Sequence, residues 1–316
     1  MTPAIAEFID HTLNGLILGG VFALIAVGYS LVYGIIGLIN FAHGEIAMAG
    51  AFFTLLLARQ WGGEDPGVGS LALALGASII LTALLGALVE RLAYRPLRGA
   101  SKLSALITTI GLSLLLQNLA AVVFGPRDLR LQLPSALEQT ALSFGGVEVR
   151  WKSLVILVAA LGAMVLLRHI VERTHLGRAM RAVSQDADAA RLMGVDLNAV
   201  VVFTFVLGAS MAALSASLLL LHVPLVRYDM GVQIGVVAFA AAVLGGIGSI
   251  PGAILGGVLI GLSQSYAAGY LGNLGEWLEH PSISSAYRES VAFLIMILIL
   301  IVRPRGLMGR SEGDRA

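Results

Sequence analysis

Residues Leu13–Tyr33 read LNGLILGGVFALIAVGYSLVY, an apolar run without a charged side chain. A helix needs roughly 20 such residues to cross about 30 Å of hydrocarbon, and this run is long enough. The residues before it, MTPAIAEFIDHTLNG, carry Glu7 and Asp10 and lack the basic start of a secretory signal. The run is therefore expected to stay in the mature chain as a membrane span. The same pattern recurs at Val68–Glu90, Ser104–Phe124, Ser153–Val171, Ala199–Leu221 and Ser290–Val302, the last being short and expected to begin a little earlier.

Composition agrees along the whole chain. Of 316 residues, 58% are hydrophobic and 12% charged, against roughly 25% charged in a soluble domain, and the mean hydropathy is +0.90. Lipid must be the solvent for much of this surface. A net charge of +1 gives no bulk attraction for nucleic acid. Without cysteine there is no disulfide, thiolate metal site or cysteine nucleophile. The 38 glycines suit transmembrane helices that approach closely or break.

Two regions depart from simple spans. Ile35–Ala58 is apolar overall but holds Asn40, His43 and Glu45, with Gly34, Gly37 and Gly44 around them. Val232–Tyr270 is too long for one crossing and is divided by GGIGSIPG, Gly245–Gly252. Both are expected to break or turn back within the membrane. Basic residues cluster in short loops on the cytoplasmic side, which assigns Arg91, Arg95, Arg98 and Lys102, then Arg173, Arg178, Arg181 and Arg191, then Arg303, Arg305, Arg310 and Arg315 with the C-terminus, to that side. The acidic connections at Glu64-Asp65 and Glu276–Glu279 fall outside, as does the N-terminus, and Gly125–Lys152 joins them because its neighbours demand it. The expectation is an all-α integral membrane protein, a multi-span bundle with two broken or hairpin helices. It forms one domain over 1–316 with nine membrane segments if both hairpins cross fully.

Three features carry chemistry. In INFAHGE, Ile39–Glu45, polar side chains at membrane depth cost several kcal/mol unless they face protein or water. Asn40, Phe41, His43 and Glu45 therefore form part of a translocation path or gate, or else Asn40, His43 and Glu45 satisfy one another and hold a turn. His43 and Glu45 at i, i+2 do not share a helix face, so a metal site is disfavoured. The loop Glu172–Asn198 is long, charged and helical in pattern, with Ala179, Met180, Val183, Ala190 and Met193 as an apolar stripe and Gly194 as a stop. It either docks on a soluble partner or rests on lipid headgroups. The turn at Gly245, Gly246 and Gly248 permits close helix contact or gating; with Lys102 and Lys152 as the only lysines, it is not a phosphate-binding loop. Thr108, Thr109, Gln117 and Asn118 share one span and line a polar path or bond between helices.

These residues also carry a resemblance. GYSLVYGIIGLINFAHGEIAMAGAF (Gly28–Phe52) resembles the N-terminal signature of branched-chain amino-acid ABC permeases of the LivH type. HLGRAMRAVSQDADAARLMGVD (His175–Asp196), AAAVLGGIGSIPGAILGGVLIG (Ala240–Gly261) and RPRGLMG (Arg303–Gly309) are similar to the same family, in the same order. Asp188-Ala189-Ala190 through Gly194 resembles the E-A-A-x-x-x-G coupling motif, with Asp in place of Glu. The resemblance implies the ABC importer permease fold in a bacterial inner membrane. It also implies a coupling segment over 172–198, with His175, Gly177, Arg178, Arg181, Asp188, Ala189, Ala190 and Gly194 meeting the ATPase. Three kinds of partner follow from it: a second, LivM-type permease, two ATPase subunits that bind ATP and Mg, and a periplasmic solute-binding protein; membrane lipid is a partner by composition. No cofactor belongs to this chain and no nucleic acid is a partner. The solute it implies is leucine, isoleucine or valine, with urea or a short amide as the alternative.

Other classes fit less well. An ion-coupled secondary transporter or channel uses intramembrane acids, and Glu45, with Glu90 near a span end, is the only support for one. A membrane-embedded enzyme needs a polar catalytic cluster, and no Ser/His/Asp set or carboxylate pair provides it.

Overall fold

The computed structural model of the chain describes residues 2–63, 66–277 and 285–309, without the side chains of 273–277 and 285. Glu64, Asp65, Glu279, Arg310, Arg315 and the side chain of Glu276, which bear on orientation, lie outside the described residues. The chain is almost entirely helical: α1 Pro3–Ile36, α2 His43–Gly62, α3 Val68–Val89, α4 Lys102–Phe124, α5 Ser135–Glu138, α6 Trp151–Arg173, α7 His175–Gln185, α8 Ala187–Leu192, α9 Leu197–His222, α10 Met230–Gly245, α11 Ile250–Trp277 and α12 Arg288–Val302. Among the described residues, 6 helices are long and apolar enough to cross a membrane: α1, α3, α4, α6, α9 and α11. The expected spans all fall on helices, and α12 begins ahead of Ser290 as anticipated.

Helix α1 is the central pillar. Its 34 residues span about 51 Å at 1.5 Å per residue, and the stretch from Val21 to Val32 is buried on every side. Such all-round burial is possible because the neighbours meet it through glycine. A Cβ at Gly19 would come 2.8 Å from the Cα of Val258, and one at Gly257 would come 2.7 Å from the Cβ of Ala23. Helices α1 and α11 thus touch backbone to backbone, the small-residue packing that replaces hydrophobic drive inside a bilayer. Helix α9 meets the same pillar at Gly28 and Gly208, and the Ser215 hydroxyl donates to the Val21 carbonyl at 2.6 Å.

Lipid-facing surface is as plain as the core. Helix α4 buries only Ala105, Thr109 and Ala120, while Leu103, Ile107, Leu114, Leu115, Leu119 and Val122 are exposed. In water such a helix would be untenable; against acyl chains or another membrane subunit it is at home.

Both expected breaks are present. Gly37 ends α1 in the left-handed conformation (φ 70°), its N–H donating to the Tyr33 carbonyl at 2.8 Å. Residues 37–42 are non-helical, and α2 then starts at His43. At the second break, Gly246 (φ 102°) and Gly248 (φ 89°) turn α10 into α11. Here the last described residues of the chain return. Leu307 and Met308 donate their N–H groups to the carbonyls of Leu244 and Gly245, both at 2.9 Å, satisfying acceptors that the end of α10 would otherwise leave open. This strap, the tips of α1 and α10, and the end of α3 share one end of the bundle: Gly34 faces Gly248, and the Tyr94 hydroxyl reaches the Ile39 carbonyl at 3.5 Å.

The opposite end carries the only strands among the described residues. β1 (Leu129–Arg130) pairs antiparallel with β4 (Leu225–Val226), and β2 (Thr140–Phe144) with β3 (Val147–Arg150). Glu138 anchors this hairpin region: Lys152 donates to it at 2.9 Å and Arg150 at 3.1 Å, and these cations hold its carboxyl below the usual range.

Candidate functional site

The segment between α1 and α2 doubles back into the bundle. Asn40 shapes it: its Oδ1 accepts from the Ala42 N–H at 3.1 Å and its carbonyl from the His43 N–H at 3.1 Å, an Asx-type turn that opens α2. His43 then sits beside Gly28, about 12 Å up α1 from Ile36 by helix rise. Its ring lies 4.6 Å from that of Tyr29, which in turn packs at 6.0 Å on Phe239 of α10, with Phe41 5.9 Å from the same ring. The helix start and its polar residues therefore lie inside the bundle rather than at the tip of a hairpin.

Gly44 makes this possible. A Cβ there would lie 2.8 Å from the Cα of Gly235, so α2 and α10 cross through glycine on both sides. Next to this crossing Glu45 is 1% exposed; its Oε1 accepts from the Ser113 hydroxyl of α4 at 3.3 Å, and its Oε2 lies against Gly231 with no hydrogen-bond partner. His43 Nε2 and Asn40 Nδ2 are likewise buried without partners. Among the described residues no side-chain hydrogen bond joins Asn40, His43 and Glu45 to one another, so it is the backbone turn at Asn40, not mutual pairing of the three side chains, that shapes the segment. Each binds its surroundings separately. Phe41 and Glu45 meet α10 at Phe239 and Gly231, and His43 reaches it through Tyr29, while Val232 and Val236 of α10 remain exposed.

Gly245, Gly246 and Gly248 lie at the basic end, away from that cluster. Gly245 is pressed on α11, where a Cβ would lie 2.7 Å from the Ala253 nitrogen, and Gly246 is pressed on the strap, 2.8 Å from the Cα of Gly309. Thr108, Thr109 and Asn118 turn their side chains back on the carbonyls of Ser104, Leu106 and Leu114, within their own helix. Among the described residues no group of His, Asp or Glu gathers as metal ligands.

The loop after α6 folds onto the basic end as two helices. Thr174 caps α7 by accepting from the Gly177 N–H at 3.0 Å, and Asp186 caps α8 by accepting from Asp188 and Ala189, both at 2.9 Å. Gly177 is packed on the carbonyls of Ile170 and Val171, and Arg181 donates to the Val171 carbonyl. Met180, Val183 and Ala190 are buried, and Ala179 packs against them. Met193, assigned to the same stripe from the sequence, is not part of it: with Gly194 in the left-handed conformation (φ 85°), the chain turns at the end of α8 and leaves Leu192 89% and Met193 85% exposed. His175 bonds Arg178 at 2.7 Å, and Asp188, Ala189, Arg178 and Arg191 face outward. The result is a docked pair of helices with an apolar knob that nothing among the described residues covers.

Residues 11–300 match the family described as branched-chain amino acid transport system / permease component. The chain is 40% identical over 99% of its length, and 99% of the other, to the high-affinity branched-chain amino acid transport system permease protein BraD of Pseudomonas aeruginosa. It is 37% identical to the corresponding protein LivH of Escherichia coli K12 over 100% of both chains. A probable LivH of Methanocaldococcus jannaschii is 27% identical over 94% of this chain and 91% of its own.

Proposed function

The chain belongs to the family of branched-chain amino acid transport permeases, and from that premise we propose how it works with its partners. It is the multi-pass membrane permease of a branched-chain amino acid transport system of the ATP-binding cassette class. In our reading the other parts are a LivM-type permease, two ATPase subunits carrying ATP and Mg, and a solute-binding protein at the outer face. The basic end, with Arg91, Arg95, Arg98, Arg173 and Arg303, faces the cytoplasm, and the N-terminus the periplasm.

The observation that carries this reading is the α7–α8 pair. An uncovered Leu192–Met193 knob on a charged loop has the make-up of a contact for a soluble subunit. ATP-driven movement of the ATPases would shift this pair, and α9, which follows Gly194 directly, would carry the motion into the bundle. The solute would pass between the two permeases along the face that holds residues 37–42, Phe239 and Glu45, the last of which reaches α4 through Ser113. An aliphatic zwitterion suits a path of aromatic and aliphatic side chains with few fixed charges.

The test is reconstitution of the chain with its cognate subunits in liposomes. ATP- and binding-protein-dependent leucine accumulation is expected, with urea no competitor. Accumulation by this chain alone without ATP would overturn the reading, and preferential uptake of urea would overturn its solute. Within that assay Glu45→Gln is expected to lower uptake at least about tenfold with assembly intact. The substitution keeps shape and removes the charge and one acceptor at a site where each unmet polar contact is worth about 1–3 kcal/mol. Unchanged uptake would leave Glu45 as packing only.

A further inference from the structure

The end of α3 is not α-helical. Residues Glu90–Tyr94 form a π-turn, a rare geometry of the kind that recurs at functional sites. Two side chains of this turn reach in different directions. Glu90, 0% exposed, is ion-paired with Arg98, and the same guanidinium donates its other arm to the Asn198 side chain in the first turn of α9. Tyr94, also buried, sets its ring 4.7 Å from that of Phe205, further along α9, and its hydroxyl 3.5 Å from the carbonyl of Ile39, next to Asn40. Asn198 follows the α8 knob by a handful of residues: Gly194 ends the loop, and Asp196 caps α9 by accepting from Asn198 and Ala199.

We propose that Arg98, with Glu90 and Tyr94, is a positioning clamp that ties the start of α9 to the broken segment 37–42, so that movement of the cytoplasmic loop is felt at the path. The proposal rests on the coupling-loop reading above. Arg98 touches neither solute nor nucleotide in this scheme. A single guanidinium bridging a buried carboxylate and a helix start is stiff: its fork holds both partners at once. The Glu90–Arg98 pair also cannot part cheaply, because a buried carboxylate without its cation is strongly disfavoured. The π-turn follows α3 directly and breaks its regular hydrogen-bond ladder, which makes it the place where we put the yielding. A shift of α9 therefore moves the turn, and Tyr94 with it, against the backbone at Ile39.

The test uses the full reconstituted transporter and reads solute moved per ATP hydrolysed. Arg98→Ala is expected to lower that ratio about tenfold or more while ATP hydrolysis and co-purification of the subunits persist, and Arg98→Lys to restore part of it. Because Arg98→Ala strands Glu90 and can cost folding, Tyr94→Phe and Glu90→Gln are measured beside it; each is expected to lower the ratio about threefold or more. A merely structural clamp would lower the yield of complex and leave the ratio of what remains unchanged, and a ratio within twofold of the parent in all three would overturn the proposal. Should the knob variant Leu192→Asp/Met193→Asp lose the ATPases while the clamp variants keep their ratio, the clamp fails and the loop reading stands. Should the knob variant also behave as the parent, both fail.

Discussion

Gly261→Val is expected to leave almost no folded permease in the membrane, with recovery after detergent extraction falling at least about tenfold. Gly261 of α11 lies on Gly19 of α1, and a Cβ there would come 2.7 Å from the carbonyl oxygen of Gly15 as well. The obstructing atoms are main chain, so no rotamer change relieves the overlap. Helices α1 and α11 would have to separate along the seam that also holds Gly15, Gly19 and Gly257, and a gap of even 0.5–1 Å forfeits about a quarter to a half of each contact's attraction. Overpacking in a close-packed core costs typically about 1–3 kcal/mol, and with backbone on both sides the upper end applies. Gly76→Ala and Gly111→Ala are the controls: a Cβ at either meets nothing within 4 Å, and both are expected to extract at parental levels. Equal recovery of Gly261→Val and Gly111→Ala would show that the seam does not govern the fold.

The second large effect is at the other end of the chain of events. Leu192→Asp/Met193→Asp is expected to strip the ATPase subunits from the tagged permease. Burial of a Leu or Met side chain is worth about 1.5–3 kcal/mol, so losing two at an interface weakens it by roughly 10²–10⁴-fold. Both residues are exposed in the isolated chain, so the permease itself should keep its elution profile and melting temperature. Met180→Asp is the contrast: Met180 is 2% exposed, and its charge should damage the permease before any partner is considered. Retention of stoichiometric ATPase by the Leu192/Met193 variant would place the docking surface elsewhere.

How far the sequence foretells this architecture depends on the kind of signal. Spans are read well because hydrocarbon thickness imposes a length that soluble folds do not have. The breaks at Gly37 and Gly246–Gly248 are legible because glycine frees the backbone to turn, and polar neighbours inside an apolar run mark a stretch that lipid does not tolerate. What periodicity misses is what long-range contact decides. The sequence alone does not place His43 beside Gly28, since that requires residues 37–42 to run back along α1. Met193 has the spacing of the α7–α8 stripe, but the turn at Gly194 sends it outward. In the sequence Arg98 is one more positive charge in a basic loop and Glu90 a lone acid near a span end; their pairing through a π-turn leaves no local trace. The strands at 140–150 fall in a loop of mixed charge, too short for alternation to stand out. The candidate site residues Asn40, His43 and Glu45 stand out in the sequence because buried polar groups in lipid are costly, and Phe41 stands between them, while its aromatic partner Phe239 carries no such signal.

The strap at Leu307 and Met308 has a bearing on how the protein is made. The carbonyls at the end of α10 emerge from the ribosome well before the N–H groups that satisfy them. Until translation has passed Met308, the turn between α10 and α11 is uncapped, and any chain that stalls or ends before that point keeps it so. Arrival of the strap is thus recorded in the structure itself, as two hydrogen bonds that a shorter chain cannot form.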